Sequence, residues 1–118
     1  MTKIEIQELL DAGVHFGHLT RKWDPNMAPY IYGERNGVHI IDLYKTSAKI
    51  EEASDALRKI ATSGRKILFV ATKRQASETV RNAAESCGAF HVTHRWLGGM
   101  LTNYKTINLS IDKLRKVE

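Results

Sequence analysis

A strand–helix–strand pattern in the middle of the chain limits the possible folds more than any other feature. The segment from Lys66 to Ala71 is a nearly continuous apolar run, typical of a strand covered on both faces. Thr72-Lys73-Arg74-Gln75 then has the spacing of a capping box and predicts a helix to about Cys87, stopped by Gly88. Phe90 to His94 predicts another strand. Two strands joined through a helix form a parallel pair, so the sequence predicts an α/β fold.

The first third of the chain predicts smaller elements. Thr2-Lys3-Ile4-Glu5 also has the spacing of a capping box, and the short amphipathic helix after it should end near Ala12, before Gly13. The following segment, with Arg21, Lys22, Trp23, Pro25 and Pro29, has neither a helical nor a strand period. We therefore expect an irregular loop there.

Two further elements are predicted before the central pattern. Tyr30–Gly33 and Val38–Ile41 are β-prone and flank Glu34-Arg35-Asn36-Gly37, which predicts a β-hairpin with an Asn-Gly turn. From Thr46 to about Thr62 the apolar residues recur at helical spacing and predict a longer helix.

Composition and charge narrow the class of protein. The chain has 118 residues, enough for one hydrophobic core, and no apolar run approaches the roughly 18 residues of a membrane span. Cys87 is the only cysteine, which excludes an internal disulfide and favours a reducing cytosol. We interpret Cys87 as a buried structural residue. The net charge is +5, and Arg58 to Arg81 holds seven basic residues against Glu78 alone. Such a basic face favours a polyanion, most often nucleic acid, or is simply solvated.

The end of the chain predicts a helix of another kind. Tyr104, Ile107, Ile111 and Leu114 are spaced as in a coiled-coil seam, and charged residues cover the other faces. The pattern stops at Glu118 without a cap. We therefore expect this chain to be a fragment, or a partner to supply the other helix.

The stretch His94-Arg95-Trp96-Leu97-Gly98-Gly99-Met100 follows directly after the last predicted strand. Loops at the carboxyl ends of parallel strands usually hold the binding groups of α/β proteins. Lys73 and Arg74 begin a helix after the preceding strand, and a helix N-terminus with two cations attracts phosphate. The spacings of a P-loop and of a dinucleotide fingerprint are absent, so nucleic-acid phosphate is favoured over a nucleotide.

Other chemistry has weaker support. His15 and His18, with His39 if the hairpin folds back, are weak metal candidates, and packed structural histidines are the better interpretation. No nucleophile elbow or paired carboxylates stand at strand ends, so no catalytic residue is proposed. Trp23 and Trp96 each adjoin a cation and suit stacking on bases, although both could instead cover the core.

Several of these motifs together resemble one family. His94-Arg95-Trp96-Leu97-Gly98-Gly99-Met100-Leu101-Thr102-Asn103 and Gly13-Val14-His15-Phe16-Gly17-His18 are similar to hallmarks of ribosomal protein two of the bacterial small subunit. The Ile67–Val70 strand with Thr72-Lys73-Arg74 matches too. The resemblance runs in order from about Leu9 to Leu114, and the family is roughly twice as long as this chain.

The resemblance implies a fold and a function. The fold is a Rossmann-like or flavodoxin-like parallel sheet flanked by helices, with residues 1–103 as an incomplete RNA-binding core and 104–118 as the first helix of a coiled-coil arm. The function is that of a non-enzymatic, cofactor-free constituent of the cytoplasmic small ribosomal subunit that helps to dock ribosomal protein one. A nucleotide-binding enzyme on a Rossmann-like domain is the alternative. The implied RNA contacts are Arg21, Lys22, Trp23, Lys73, Arg74, Arg95, Trp96, Asn103 and Lys105.

Overall fold

The computed structural model describes residues 3–117. In chain order the helices and strands are α1 (Ile6–Asp11), β1 (Phe16–Leu19), β2 (Ile31–Arg35), β3 (Val38–Ile41), α2 (Leu43–Thr62), β4 (Leu68–Val70), α3 (Arg74–Ser86), β5 (Phe90–Val92) and α4 (Tyr104–Val117). The chain divides into two compact units, Met1–Ser63 and Gly64–Glu118, called here the first and the second unit. Within residues 3–117, no helix combines the length and the apolarity needed to cross a membrane.

The first unit contains an antiparallel sheet in the order β1-β3-β2. Strands β2 and β3 form the predicted hairpin, with Arg35 paired to Val38. Asn36 and Gly37 have φ angles of 52° and 75°, the left-handed conformation that a two-residue hairpin turn of this type requires. The hairpin prediction is therefore confirmed.

The loop predicted to be irregular is more ordered than expected. It contains two 3-10 helices, Thr20–Lys22 and Pro25–Tyr30, which lead on to β2. Phe16–Leu19, just before it, forms the edge strand β1, for which no element was predicted. The Asp24 carboxylate accepts a hydrogen bond from the backbone N–H of Asn26 at 2.9 Å and caps the second 3-10 helix. The strand escaped prediction because Phe16–Leu19 contains a glycine and a histidine and no β-branched residue, and its pairing with β3 is interrupted by a register shift.

Close contact between β1 and β3 depends on Gly17. A Cβ atom at Gly17 would lie 3.1 Å from the carbonyl oxygen of His39, whereas one at Gly33 would have nothing within 4 Å. We therefore expect Gly17→Ala to lower the free energy of unfolding by about 1 kcal/mol, because the crowded atom belongs to the backbone of the central strand. Gly33→Ala is the matched control and should change it by less than about half that. Urea unfolding of both variants tests this, and equal effects would contradict it.

Two helices complete the first unit. The backbone N–H of Glu5 donates to the Glu8 carboxylate at 3.2 Å, so α1 is capped at Glu5. The capping box predicted at Thr2 is thus placed one turn too early, and Thr2 itself lies outside the described residues. Gly13 follows the helix with a φ angle of 71°, as predicted for its stop. Leu9 of α1 and Leu43 of α2 are buried and form the core of this unit.

Helix α2 begins three residues before the predicted start at Thr46. The Asp42 carboxylate accepts from the backbone N–H of Tyr44 at 3.0 Å, so Asp42 is the N-cap and Leu43 the first helical residue. The apolar periodicity alone does not reveal this start, since the N-cap is defined by a hydrogen bond rather than by burial.

The second unit contains the predicted strand–helix–strand pattern. Strands β4 and β5 are parallel, with Leu68 paired to Phe90 and Val70 to Val92, and α3 packs against both. Ala84 of α3 is 1% exposed. Leu68 and Val70 are 45% and 50% exposed, so the prediction that this strand is covered on both faces is wrong for the described chain. An apolar run shows that a strand can be covered, but not what covers it.

The two ends of α3 contradict two predictions and confirm a third. Its N-cap is Lys73, which makes no side-chain capping hydrogen bond to the described chain, so the capping box Thr72–Gln75 does not form. Its end at Ser86 and the φ angle of 68° at Gly88 confirm the predicted stop. Cys87 is exposed rather than buried.

Helix α4 starts at Tyr104 as predicted. Most of its expected seam is open to solvent in the described chain: Tyr104, Ile111 and Leu114 are 62%, 41% and 59% exposed, and Ile107 is half-buried. Pairing of this seam in a coiled coil, and the division of the chain at residue 103, stay predictions.

Candidate nucleic-acid interface

The positive charge of the chain belongs to the second unit. Residues 64–118 contain ten lysines and arginines and four acidic residues. Residues 1–63 contain eight lysines and arginines and nine acidic residues. The first unit is therefore close to neutral, and a partner attracted by charge is attracted by the second.

Several cations of the first unit are also paired. The ammonium group of Lys49 lies 2.7 Å from Glu52, that of Lys3 lies 3.8 Å from Glu51, and Arg58 lies 3.1 Å from Asp55. The hydrogen bond and charge of Lys49 hold the pKa of Glu52 below its ordinary value, and Glu52 raises the pKa of Lys49 in return. These pairs are exposed and stabilise α2 only weakly, but they neutralise much of its positive charge.

In the second unit, four of the predicted contact residues follow the carboxyl ends of the two parallel strands. Lys73 and Arg74 come three and four residues after β4, and Arg95 and Trp96 come three and four residues after β5. The two strand ends are adjacent, since the backbone N–H of Ala71 donates to the carbonyl of Val92 at 2.9 Å. The fold therefore brings these residues to one end of the sheet.

We call Lys73, Arg74 and Arg95 the basic edge. All three side chains are exposed, and none forms an ion pair with an acidic residue of the part 3–117. Lys73 and Arg74 stand at the N-terminus of α3, where unpaired backbone N–H groups and the helix dipole favour an anion. Unpaired cations beside such a terminus suit the phosphate groups of a polyanion.

The stretch after β5 forms a compact turn. Thr93 is buried, His94 and Arg95 are exposed, and Trp96 is half-buried. The carbonyl of Gly99 accepts from the backbone N–H of Asn103 at 2.7 Å, which closes the turn just before α4.

Gly99 is essential to this turn, and Gly98 is not. Gly99 has a φ angle of 86°, and a Cβ atom there would lie 2.8 Å from the Cβ atom of Asn103. A Cβ atom at Gly98 would meet nothing within 4 Å. Asn103 and Lys105, both exposed predicted contacts, flank the first residue of α4 and depend on this turn for their placement.

The remaining predicted contacts lie in the first unit. Arg21 and Lys22 belong to the 3-10 helix after β1, and both are exposed. The indole ring of Trp23 stacks on the imidazole of His39, with ring centroids 4.7 Å apart and an interplanar angle of 24°. This stack and the 36% exposure of Trp23 place the ring at the surface rather than in the core.

The three histidines considered for a metal do not converge. His18 and His39 line one cavity together with Trp23, whereas His15 lines another with Ile40 and residues of α1 and α2. Among residues 3–117, no three His, Cys, Asp or Glu side chains are grouped as metal ligands. His15 instead packs on Phe16, with ring centroids 4.1 Å apart.

Two side chains that sequence reasoning missed lie beside Trp23. Phe16 and Met27 line the cavity that contains the Trp23–His39 stack, and they are 64% and 44% exposed. Phe16 could have been found from the sequence only if β1 had been predicted as an edge strand. Because β1 is short and irregular, the sequence did not predict it.

The second unit is a basic strand–helix–strand unit, and at one end of its sheet Lys73, Arg74 and Arg95 form no ion pair with the acidic residues of the part 3–117. This architecture defines the class: an α/β protein with a basic edge at its strand ends. The particular family is shown by sequence. The profile of ribosomal protein S2 matches residues 9–118, and this chain belongs to that family.

Individual relatives agree with the profile. The chain is 65% identical over 116 residues to small ribosomal subunit protein uS2 of Flavobacterium johnsoniae, which covers 98% of this chain and 46% of the relative. It is 53% identical to uS2 of Treponema pallidum and 51% identical to uS2 of Bdellovibrio bacteriovorus, each over the whole chain and over 40% and 38% of the relative. The chain thus spans less than half the length of these relatives.

Proposed function

We propose that this chain is a structural constituent of the small ribosomal subunit and binds small-subunit ribosomal RNA through the basic edge of its second unit. Membership of the ribosomal protein S2 family supports the ribosomal role. The observation that carries the RNA-binding surface is the common position of Lys73, Arg74 and Arg95 at the end of β4 and β5 without ion pairs to the described acids. Neutralising RNA phosphates releases counterions, which makes such binding strong at low salt.

The proposal extends to partners and location. The chain acts without catalysis or a cofactor, in the bacterial cytoplasm on the ribosome, next to other small-subunit proteins and ribosomal protein one. Helix α4 begins a protruding arm, and its exposed seam provides the apolar surface that a second helix would cover. Arg21, Lys22, Trp23, Trp96, Asn103 and Lys105 supply further RNA contacts.

A salt titration tests the electrostatic part of the proposal. Three phosphate contacts from the basic edge should contribute roughly −2 to −3 to the slope of log binding constant against log salt concentration on small-subunit RNA, and the further cations should make the slope steeper. The measurement is filter binding between about 0.05 and 0.3 M salt. Affinity independent of salt would contradict phosphate binding by this edge.

The alternative, a nucleotide-binding enzyme, makes a different prediction. A nucleotide held near the N-terminus of α3 should raise the melting temperature at micromolar concentration, because a ligand that binds the folded state stabilises it. On the ribosomal proposal, ATP, GTP and NAD should leave the melting temperature unchanged. A shift with any of these three would favour the enzyme.

A further inference from the structure

We infer that the cavity beside Trp23 in the first unit accommodates one unpaired nucleobase of small-subunit RNA. This inference rests on the proposed RNA-binding function, and adds to it a site that reads an extruded base rather than the phosphate backbone. The cavity has a volume of about 410 Å³. Its walls are formed by Phe16, Gly17, His18, Trp23, Asp24, Met27, Ile31, His39 and Ile41.

The ring-bearing part of the wall is suited to a flat, aromatic ligand. Trp23 and His39, which both line the cavity, already form one stacked pair. Phe16, Trp23 and Met27 leave 64%, 36% and 44% of their surface exposed, although all three border the same cavity. A nucleobase offers two flat faces to such side chains and can extend an existing stack of rings.

Two exposed cations next to Trp23 in the chain distinguish a nucleotide from an apolar protein side chain. Arg21 and Lys22 directly precede Trp23, and neither forms an ion pair with an acidic residue of the described chain. An inserted apolar side chain would make no favourable electrostatic interaction with these two cations. A nucleotide whose base enters the cavity keeps its phosphate groups outside it, where the exposed Arg21 and Lys22 can attract them.

The polar wall fits the same ligand. Asp24 uses one carboxylate oxygen to cap the 3-10 helix that follows it, which fixes the position of its side chain at the cavity. The exposed His18 and the half-buried His39 add ring nitrogens. Bases carry donors and acceptors along their edges, and a wall of this composition can meet them.

The experiment compares two ligands with equal phosphate charge. The 118-residue chain is titrated with an adenosine hexanucleotide and with an abasic ribose-phosphate hexamer, and tryptophan fluorescence is followed in the wild type and in Trp23→Phe. In the wild type we expect the hexanucleotide to quench the fluorescence of Trp23 and the abasic hexamer not to do so. In Trp23→Phe this quenching should be absent. Phe16→Ala should weaken this binding roughly five-fold or more, the range for loss of one base–aromatic stack. The exposure of Phe16 makes its loss tolerable for folding, which circular dichroism checks.

A matched variant controls for the loss of an exposed aromatic ring. Tyr44 is 73% exposed, is the second residue of α2 and does not line this cavity, so Tyr44→Ala should leave the titration unchanged. Equal binding of both hexamers without Trp23 quenching would overturn the base site and leave the RNA proposal intact. Failure of both hexamers to bind would count against both proposals. A larger change of Trp23 emission with N-acetyl-phenylalaninamide than with the hexanucleotide would assign the cavity to a protein side chain and overturn the inference.

Discussion

Replacing Lys73 and Arg74 with glutamate should lower the affinity of the chain for small-subunit RNA by roughly a hundred-fold or more near 0.1 M salt, the effect of losing two phosphate contacts and adding two repulsive charges. The salt dependence should become shallower by about two units of slope, because two fewer counterions are released. Both side chains are exposed at the start of α3, so the fold should persist. Filter binding gives the affinities and circular dichroism the integrity of the fold.

A charge-matched control separates position from net charge. Arg58 and Lys59 are also adjacent and exposed, but they lie on α2 of the near-neutral first unit, where Arg58 is paired with Asp55. Reversing them to glutamate changes the net charge by the same amount and should weaken binding by only a few-fold. An equal loss in both double variants would show that RNA senses the overall charge, and would contradict a contact at the basic edge.

Gly99→Ala should be among the most destabilising single substitutions in the second unit. The residue has a left-handed backbone, which costs alanine about 1 kcal/mol or more, and the new Cβ atom would lie 2.8 Å from that of Asn103. We expect a loss of about 2 kcal/mol in the free energy of unfolding. RNA affinity should also fall, because the turn that positions Asn103 and Lys105 cannot close in its native form.

Gly98→Ala is the matched control for this substitution. Its Cβ atom would have open space within 4 Å, so the free energy of unfolding should change by less than about 0.5 kcal/mol. Urea unfolding of the two variants side by side gives the comparison. A larger effect at Gly98 than at Gly99 would mean that the turn differs from the one described.

Local signals in the sequence predicted local structure well. The Asn36-Gly37 turn, the stop at Gly88 and the start of α4 are all as predicted, because each depends on residues adjacent in the chain. The capping boxes at Thr2 and Thr72 were misplaced. A threonine three residues before a glutamate or glutamine offers a cap but cannot fix where the helix begins, and α1 and α3 start at other residues.

Properties that depend on distant parts of the chain were harder to predict. Strand β1 exists through its pairing with β3, and its four residues carry no alternating pattern of their own. The exposure of Cys87 and of Leu68 depends on what packs against them, which a local window does not contain. The candidate site shows the same limit: the sequence singled out Lys73, Arg74 and Arg95 by their places after strands, but it gave no sign of the cavity around Trp23.

Co-sedimentation with small ribosomal subunits tests the central proposal most directly. The tagged chain is mixed with purified subunits, centrifuged through a sucrose gradient at low salt, and then washed with increasing salt. We expect the chain in the subunit peak at low salt, with gradual release as salt rises and with little of the Lys73→Glu/Arg74→Glu variant retained. A chain found only at the top of the gradient at every salt concentration, while folded by circular dichroism, would contradict the ribosomal proposal.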